Sequence, residues 1–239
     1  MKTPVIPRRI EKLVRSARAL AAYATIVRDP NKLEKVFDLR KAIAEPAVLQ
    51  EMAAFFRKDP QGRAALEQRP RIGQLDLRLL ASMPAGTLGG AFGRHMVEAG
   101  LDPAAIPTLP SNDELELMDA HLYETHDVWH VVTGFGTDVA GELGLQAFYA
   151  AQFPARLALA ILSGGLLNTI VDPKAMTDAD RRMDAIAAGW AMGRAARPLF
   201  GYRWAEHWGR PLEEIRRELG VRPLSRAPRH EHVAAAAAA

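Results

Sequence analysis

An all-α fold, one domain built as a multi-helix bundle, is what this sequence predicts, and three observations predict it. No stretch of the 239 residues alternates apolar and polar side chains for long enough to make a half-buried strand. Apolar residues recur instead at helical spacing in segment after segment, several of them headed by a proline or a capping Ser, Thr or Asp. Hydrophobic residues make up 49% and charged residues 25% of the chain, an ordinary globular balance that supplies one sizeable core. Residues 1–222 therefore read as one domain, and 223–239, where periodicity is lost before a run of alanines, as a tail.

The first element is a basic amphipathic helix within residues 1–28. Lys2, Arg8, Arg9, Lys12, Arg15 and Arg18 stand against Glu11, and Ile10, Leu13, Val14, Ala17, Leu20, Ala21 and Ala24 have helical spacing. Such a helix either lies on an anionic membrane surface or docks its apolar stripe on the domain, the commoner outcome. The periodicity runs past Tyr23 without a cleavage signal, which argues against a transit peptide, and Met1 to Arg18 has no signal-peptide apolar run. Asn31–Ala44 is the second helix, with Leu33, Val36, Phe37 and Ile43 inward, and Pro46–Lys58 the third. Pro60, Gly62, Pro70 and Gly73 punctuate a connection. Leu75–Met83 and Gly86–Ala99 are helical; the glycines of the second (Gly86, Gly89, Gly90, Gly93) lack the Lys-Ser/Thr of a phosphate loop and serve close packing or room for a ligand. After a proline-rich loop over Leu101–Pro110, Ser111 and Glu114 form a capping-box pattern that opens a long helix.

That helix carries His126-Asp127-Val128-Trp129-His130, followed after eleven residues by Glu142. Histidines four apart lie about 40° from each other around a helix axis, and Asp127 falls within roughly 100° of both, so the three side chains converge. Unbroken helix would carry Glu142 about 18 Å away, so the chain must turn back. Thr133-Gly134-Phe135-Gly136 supplies the turn, and Thr137 or Asp138 caps an antiparallel helix with Glu142 near its start. His126, Asp127, His130 and Glu142 then form a candidate metal site of a kind that suits zinc, manganese, iron or cobalt better than calcium. The zinc-protease motif has the same histidine spacing but needs Glu where Asp127 stands. Charge patterning agrees: from His95 to Ala155 there is no Lys or Arg, yet there are ten acids, in a chain of net charge +3. Glu114, Glu116 and Asp119 read as a solvated face.

Leu143–Phe153 continues the Glu142 helix. Leu157–Val171 is too short and too interrupted to span a membrane and reads as a core helix or the wall of a lipid groove. A helix opened by Thr177 runs through Gly193 with Met183, Ile186, Ala187 and Trp190 inward, and Tyr202–Trp208 and Leu212–Leu219 complete the set. Arg203, Trp204, His207 and Trp208 read as packing of the last helices rather than nucleotide stacking, so no nucleic-acid partner is expected. Zero cysteines exclude disulfides and thiol nucleophiles and fit an intracellular protein. His121 is rotated roughly 140° from His126 and stands apart from the metal.

With His126-Asp127-x-x-His130-x11-Glu142 in hand, the chain resembles the fourth coenzyme Q biosynthesis protein family, the Coq-four family. The likeness extends through Thr133-Gly134, Thr137 and Gly141 and more loosely over Leu109–Leu219, including the Trp190 helix and Trp204-Glu206-Trp208-Pro211-Leu212. Leu143-Gly144-Leu145-Gln146-Ala147-Phe148-Tyr149 lacks the Lys and Glu that mitochondrial members commonly show there, a departure that bears on partner contacts. The resemblance implies a homodimer peripheral to the cytoplasmic or mitochondrial inner membrane, binding polyprenylated quinone precursors and a divalent metal, zinc first, with iron, manganese, cobalt or magnesium as alternatives. It implies either an enzyme that replaces the ring C1 carboxylate of a polyprenyl-hydroxybenzoate by hydroxyl through His126, Asp127, His130 and Glu142, the reading favoured, or a non-catalytic lipid-binding scaffold for the other ubiquinone-biosynthesis enzymes. A phosphohydrolase of the HD kind would need further ligands, for which His95 is the one plausible histidine. The expected lipid site is an apolar groove walled by Gly86–Ala99 and Ala155–Val171, with the metal at its mouth.

Overall fold

The computed structural model describes residues 8–30, 32–101 and 109–223, with side chains from residue 13 onward except Leu33. The Leu101–Pro110 loop, apart from its ends, and the tail beyond Pro223 lie outside the described residues. Among those described there is no strand, only an isolated antiparallel bridge between Thr87 and Pro211, and the chain is all-α.

The helices are α1 (Arg8–Arg28), α2 (Leu33–Ile43), α3 (Pro46–Phe56), α4 (Pro60–Gln68), α5 (Leu77–Ser82), α6 (Leu88–Glu98), α7 (Glu114–Glu124), α8 (His126–Thr133), α9 (Val139–Gln152), α10 (Arg156–Val171), α11 (Pro173–Met176), α12 (Ala179–Ala195) and α13 (Leu212–Leu219), with a 3-10 turn at Trp204–Glu206 where a longer helix was expected. The residues that read as a connection after Lys58 are a helix start. Pro60 occupies the first turn of α4, and the Asp59 carboxylate accepts from the Gln61 and Gly62 amides at 2.9 and 3.1 Å. The long helix expected from Ser111 to His130 is two helices. Asp113, not Ser111, caps α7 through the Leu115 and Glu116 amides, and the Ser111 hydroxyl instead accepts from Arg71. At Thr125 (φ −95°, ψ 0°) the chain leaves regular helix geometry and α8 begins afresh.

The core is built around α8 and α9: Val128, Trp129, Leu145 and Phe148 are fully buried, joined by Leu88, Met96, Trp204 and Ile215 from the surrounding helices. α12 crosses α9 backbone on backbone. A Cβ on Gly189 would stand 1.9 Å from the Gly144 carbonyl oxygen, and one on Gly193 would stand 2.7 Å from that of Phe148. The buried stripe of α12 is consequently Arg182, Gly189, Met192 and Gly193, while Met183 and Trp190, expected inward, are about half exposed. Small residues win this face because they let the axes come closest.

α10 is turned the same way. Its buried face is Ala158, Gly164, Gly165, Asn168 and Thr169, and Leu159, Leu166, Leu167, Ile170 and Val171 point outward. The reason is the buried Arg182 guanidinium, which donates to Asn168 Oδ1 and Thr169 Oγ1, both at 2.9 Å, and so requires the polar side of α10 to face in. α1 docks on α2 and α10 through Ala19, Ala22, Tyr23 and Ile26, and Asn168 donates to the Val27 carbonyl at 2.8 Å. The stripe expected to dock is free: Leu13 is 76% and Leu20 69% exposed. The α6 glycines serve close packing, since a Cβ on Gly90 would meet the Pro84 oxygen at 2.2 Å and one on Gly93 the Ala81 nitrogen at 2.3 Å. No described helix is long and apolar enough to cross a membrane.

Candidate metal centre

α8 buries Val128, Trp129, Val131 and Val132 and presents His126 and His130 on the face between. It ends where Gly134 enters the left-handed region (φ 80°), its amide returning to the His130 carbonyl at 2.8 Å. From the far side Arg216 of α13 donates to the Val131 and Val132 carbonyls at 2.8 and 2.9 Å, placing a cation at the negative end of α8. Asp138 then caps α9, accepting from the Gly141 amide at 3.0 Å, and is itself paired with Arg181 at 3.1 Å. Gly141 lies against the turn, where a Cβ would stand 2.1 Å from the Gly136 oxygen. The glycine turn and the Asp138 cap anticipated from sequence thus bring Glu142 back beside the two histidines.

One ligand atom each from His126, His130 and Glu142 lies within 4.8 Å of the others. His130 Nε2 is 3.0 Å and His126 Nε2 3.8 Å from Glu142 Oε1. Ligands at about 2.05 Å from a tetrahedral cation are about 3.3 Å apart, so these separations bracket what an ion requires. The outer nitrogens are tied as well. His130 Nδ1 faces the Phe135 carbonyl at 3.1 Å and its Nε2 the Glu142 carboxylate at 3.0 Å, so with Nδ1 donating, Nε2 is the nitrogen that a cation beside Glu142 would take; His126 Nδ1 stands 3.4 Å from the Tyr149 hydroxyl. Asp127, the fourth expected ligand, sits next to His126 on α8 but is not among the three whose atoms converge.

Burial alone would raise the Glu142 pKa, but the two imidazoles beside it outweigh that and hold it well below the carboxylate range. Burial likewise opposes a charge on His126, and Glu142 and Asp127 overcome it and raise its pKa. Tyr149 is driven well above the normal phenol range by burial first, then by Asp127 and Glu142, so it stays a neutral hydroxyl. The centre therefore holds a carboxylate anion and two imidazoles at a point that favours positive charge. His121 is apart from it, as expected: it is buried, with Nδ1 donating to the Pro70 carbonyl at 3.2 Å and Nε2 accepting from the Gly201 amide at 3.1 Å.

The acid-rich middle of the chain is neutralised by the basic remainder. Arg40 pairs with Asp119, Arg57 with Glu114, Arg71 with Glu124 and Arg181 with Asp138, so Glu114 and Asp119 are tied rather than freely solvated. Two neighbours of the site, Tyr149 and Arg216, were not singled out from sequence, and His95 was named only as a further ligand for the phosphohydrolase reading. Tyr149 lies seven residues after Glu142, two helical turns on, a spacing that could have found it. His95, whose ring stacks on His130 with centroids 5.7 Å apart, and Arg216 carry no such signal, because only the tertiary fold brings α6 and α13 to α8.

The family model for the coenzyme Q (ubiquinone) biosynthesis protein Coq4 matches residues 8–225. The chain is 28% identical over 225 residues to the mitochondrial ubiquinone biosynthesis protein coq-4 of Caenorhabditis elegans, covering 89% of this chain and 92% of that one. It is 31% identical over 212 residues to the mitochondrial COQ4 of Coprinopsis cinerea, covering 84% and 68%. A crystal structure described as that of a ubiquinone biosynthesis protein from Nostoc punctiforme superposes with a TM-score of 0.73 at 30% identity, over 86% of this chain and 98% of that one. With His126, His130 and Glu142 brought together and the family model matched over residues 8–225, the chain belongs to the Coq4 family of coenzyme Q (ubiquinone) biosynthesis proteins.

Proposed function

We propose that this protein is a metal-dependent enzyme of ubiquinone biosynthesis that replaces the C1 carboxylate of a polyprenyl-hydroxybenzoate by hydroxyl: the carboxylate leaves as carbon dioxide, water adds the hydroxyl, and dioxygen takes the two electrons released to become hydrogen peroxide. The observation that carries the reading is the convergence of His126, His130 and Glu142 with both outer imidazole nitrogens already engaged. A bound divalent cation, zinc or one of iron, manganese, cobalt and magnesium, supplies positive charge for a ring carboxylate. His126, His130 and Glu142 would hold it, and Asp127, next to His126 on α8, adds negative charge beside that histidine. α8 and α9 keep these groups fixed through the Gly134 turn, the Asp138 cap and the Arg216 clamp.

The supporting experiment measures metal content and turnover together. Wild-type protein is expected to carry about one divalent cation per chain, lost in Glu142→Ala and His130→Ala, and to convert a prenylated hydroxybenzoate under oxygen with loss of carboxylate and gain of hydroxyl by mass spectrometry. Unchanged metal content in both variants sinks the site.

A second reading is a lipid-binding scaffold at a membrane surface, working as a homodimer among the other ubiquinone-biosynthesis enzymes. It is favoured by the outward apolar faces of α1 and α10, with Leu13, Leu20, Leu159 and Ile170 all more than half exposed. Those faces, rather than a channel between α6 and α10 glycines, are where a polyprenyl tail or a bilayer has apolar side chains to meet. Tight lipid binding without turnover for any of the candidate metals would favour it over the enzyme.

A further inference from the structure

His130 and His126 face the same point but are held by different devices. His130 is oriented by a backbone carbonyl, that of Phe135, at 3.1 Å. His126 has only a side chain: its Nδ1 lies 3.4 Å from the Tyr149 hydroxyl, and the two rings are 26° from parallel with centroids 6.0 Å apart. The Tyr149 ring is itself clamped, stacked on Trp129 at 4.3 Å and 10°, with Phe153 edge-on at 5.7 Å, and it is 7% exposed. It therefore cannot swing away, and α9 carries it on the same helix as Glu142.

A histidine can present a lone pair at Nε2 only when Nδ1 bears the proton, and a buried Nδ1–H needs an acceptor. We propose that Tyr149 is a positioning residue of the candidate metal centre: its hydroxyl oxygen accepts the His126 Nδ1 proton and so leaves His126 Nε2 for a cation shared with Glu142. The inference rests on the metal-centre reading and adds a residue from the stretch where this chain lacks the Lys and Glu of mitochondrial members. That stretch, expected to bear on partner contacts, reaches the site through Tyr149. In the same geometry the hydroxyl hydrogen of Tyr149 is left free to meet an oxygen of whatever binds beside His126.

The test uses the full chain, with histidine labelled by nitrogen-15, as wild type and as Tyr149→Phe, which keeps the ring and its stacking on Trp129 but removes the oxygen. Long-range proton–nitrogen correlation spectra of zinc-loaded protein are expected to show His126 bound through Nε2 with its proton on Nδ1 in the wild type, and a mixture of Nε2- and Nδ1-bound forms in the variant. Zinc affinity, measured against a competing chelator, is expected to weaken about 10- to 100-fold in Tyr149→Phe, the usual loss when the outer partner of a metal-ligating histidine is removed. An unchanged tautomer and an unchanged affinity overturn the proposal. So does a loss of zinc affinity with an unchanged tautomer and a lower melting temperature, which would make Tyr149 a packing residue. If wild-type protein binds no zinc, the metal reading fails and the proposal with it; zinc bound equally by wild type and Tyr149→Phe fails the proposal alone.

Discussion

Replacing Gly189 with Ala should destabilise the protein, although alanine is the better helix former. The added methyl would stand 1.9 Å from the Gly144 carbonyl oxygen and 2.8 Å from its carbon, both backbone atoms that no rotamer change can move. Ordinary contact begins near 3.5 Å, so α9 and α12 must separate by about 1.5 Å at their crossing. Overpacking of this severity costs about 3 kcal/mol, against which the helix propensity of Ala over Gly returns about 1 kcal/mol. A net loss of about 2 kcal/mol corresponds to a melting temperature lower by about 4–8 °C for a domain of this size. Gly164→Ala is the internal control. Its methyl would find Tyr23 Cε2 at 3.5 Å and Val27 Cγ2 at 3.7 Å, ordinary contacts, so the propensity gain survives and the melting temperature should hold or rise by about 2–4 °C. Thermal unfolding of the two variants by circular dichroism, with metal content measured alongside, reads both signs. Because Gly144 follows Glu142 by two residues on α9, the Gly189 variant should also lose metal. If Gly189→Ala melts with the wild type, or if both variants fall equally, the backbone crossing is not what holds α9 in place.

Stability should fall as pH drops from about 6.5 towards 4. Burial holds His121 neutral and pushes its pKa down to about 4, partly offset by the Pro70 carbonyl. In the unfolded chain it returns to about 6.5, so between these values the unfolded state binds the extra proton and gains, a loss to the fold of about 3 kcal/mol. Guanidinium unfolding midpoints at pH 7 and pH 4.5 check this, and His121→Phe should remove most of the slope; an equal slope in that variant would assign it elsewhere. Flotation with anionic vesicles tests the outward stripe of α1: Leu13→Ser with Leu20→Ser should weaken binding by about 2 kcal/mol or more, while wild-type binding retained in that variant would leave α1 a structural helix.

The all-α class, the turn at Gly134 and the return of Glu142 were legible because each rests on local rules: absence of period-two alternation, a glycine where φ must be positive, an Asp that can cap. One face was read the wrong way round, and two were left between alternatives, for a common reason. On α12 Met183 and Trp190 were assigned to the interior, whereas the structure buries Gly189 and Gly193; on α1 and α10, where an inward apolar stripe was one of two readings, it buries Ala22, Gly164 and Gly165. Hydrophobic periodicity finds a stripe but cannot tell whether a partner helix takes the large stripe or the small one. That choice belongs to long-range groups such as Arg182, which demands a polar face from α10 before any leucine can be considered. The same blindness split α7 from α8. Nothing local to Thr125 breaks a helix; its hydroxyl donates back to His121 at 2.8 Å, a bond that an intact helix also permits.

Charge separation along the chain was visible as a number, and only the fold shows what it does. Four of the middle acids meet arginines from elsewhere, Arg40, Arg57, Arg71 and Arg181, and those pairs tie α7 and the head of α9 to the surrounding helices. Each exposed pair contributes little to stability on its own. Their collective effect is on the remaining field: with Asp119, Glu114, Glu124 and Asp138 compensated, Asp127 and Glu142 are the acids left beside the two histidines. Asp127 and Glu142 thereby keep their charge at the place where two imidazoles converge, in a segment with no Lys or Arg between His95 and Ala155. A solvated acidic face would have spread that charge over the surface. The pairing instead leaves Glu142 and Asp127 to act on the imidazoles, and the raised His126 pKa is the electrostatic signature of that.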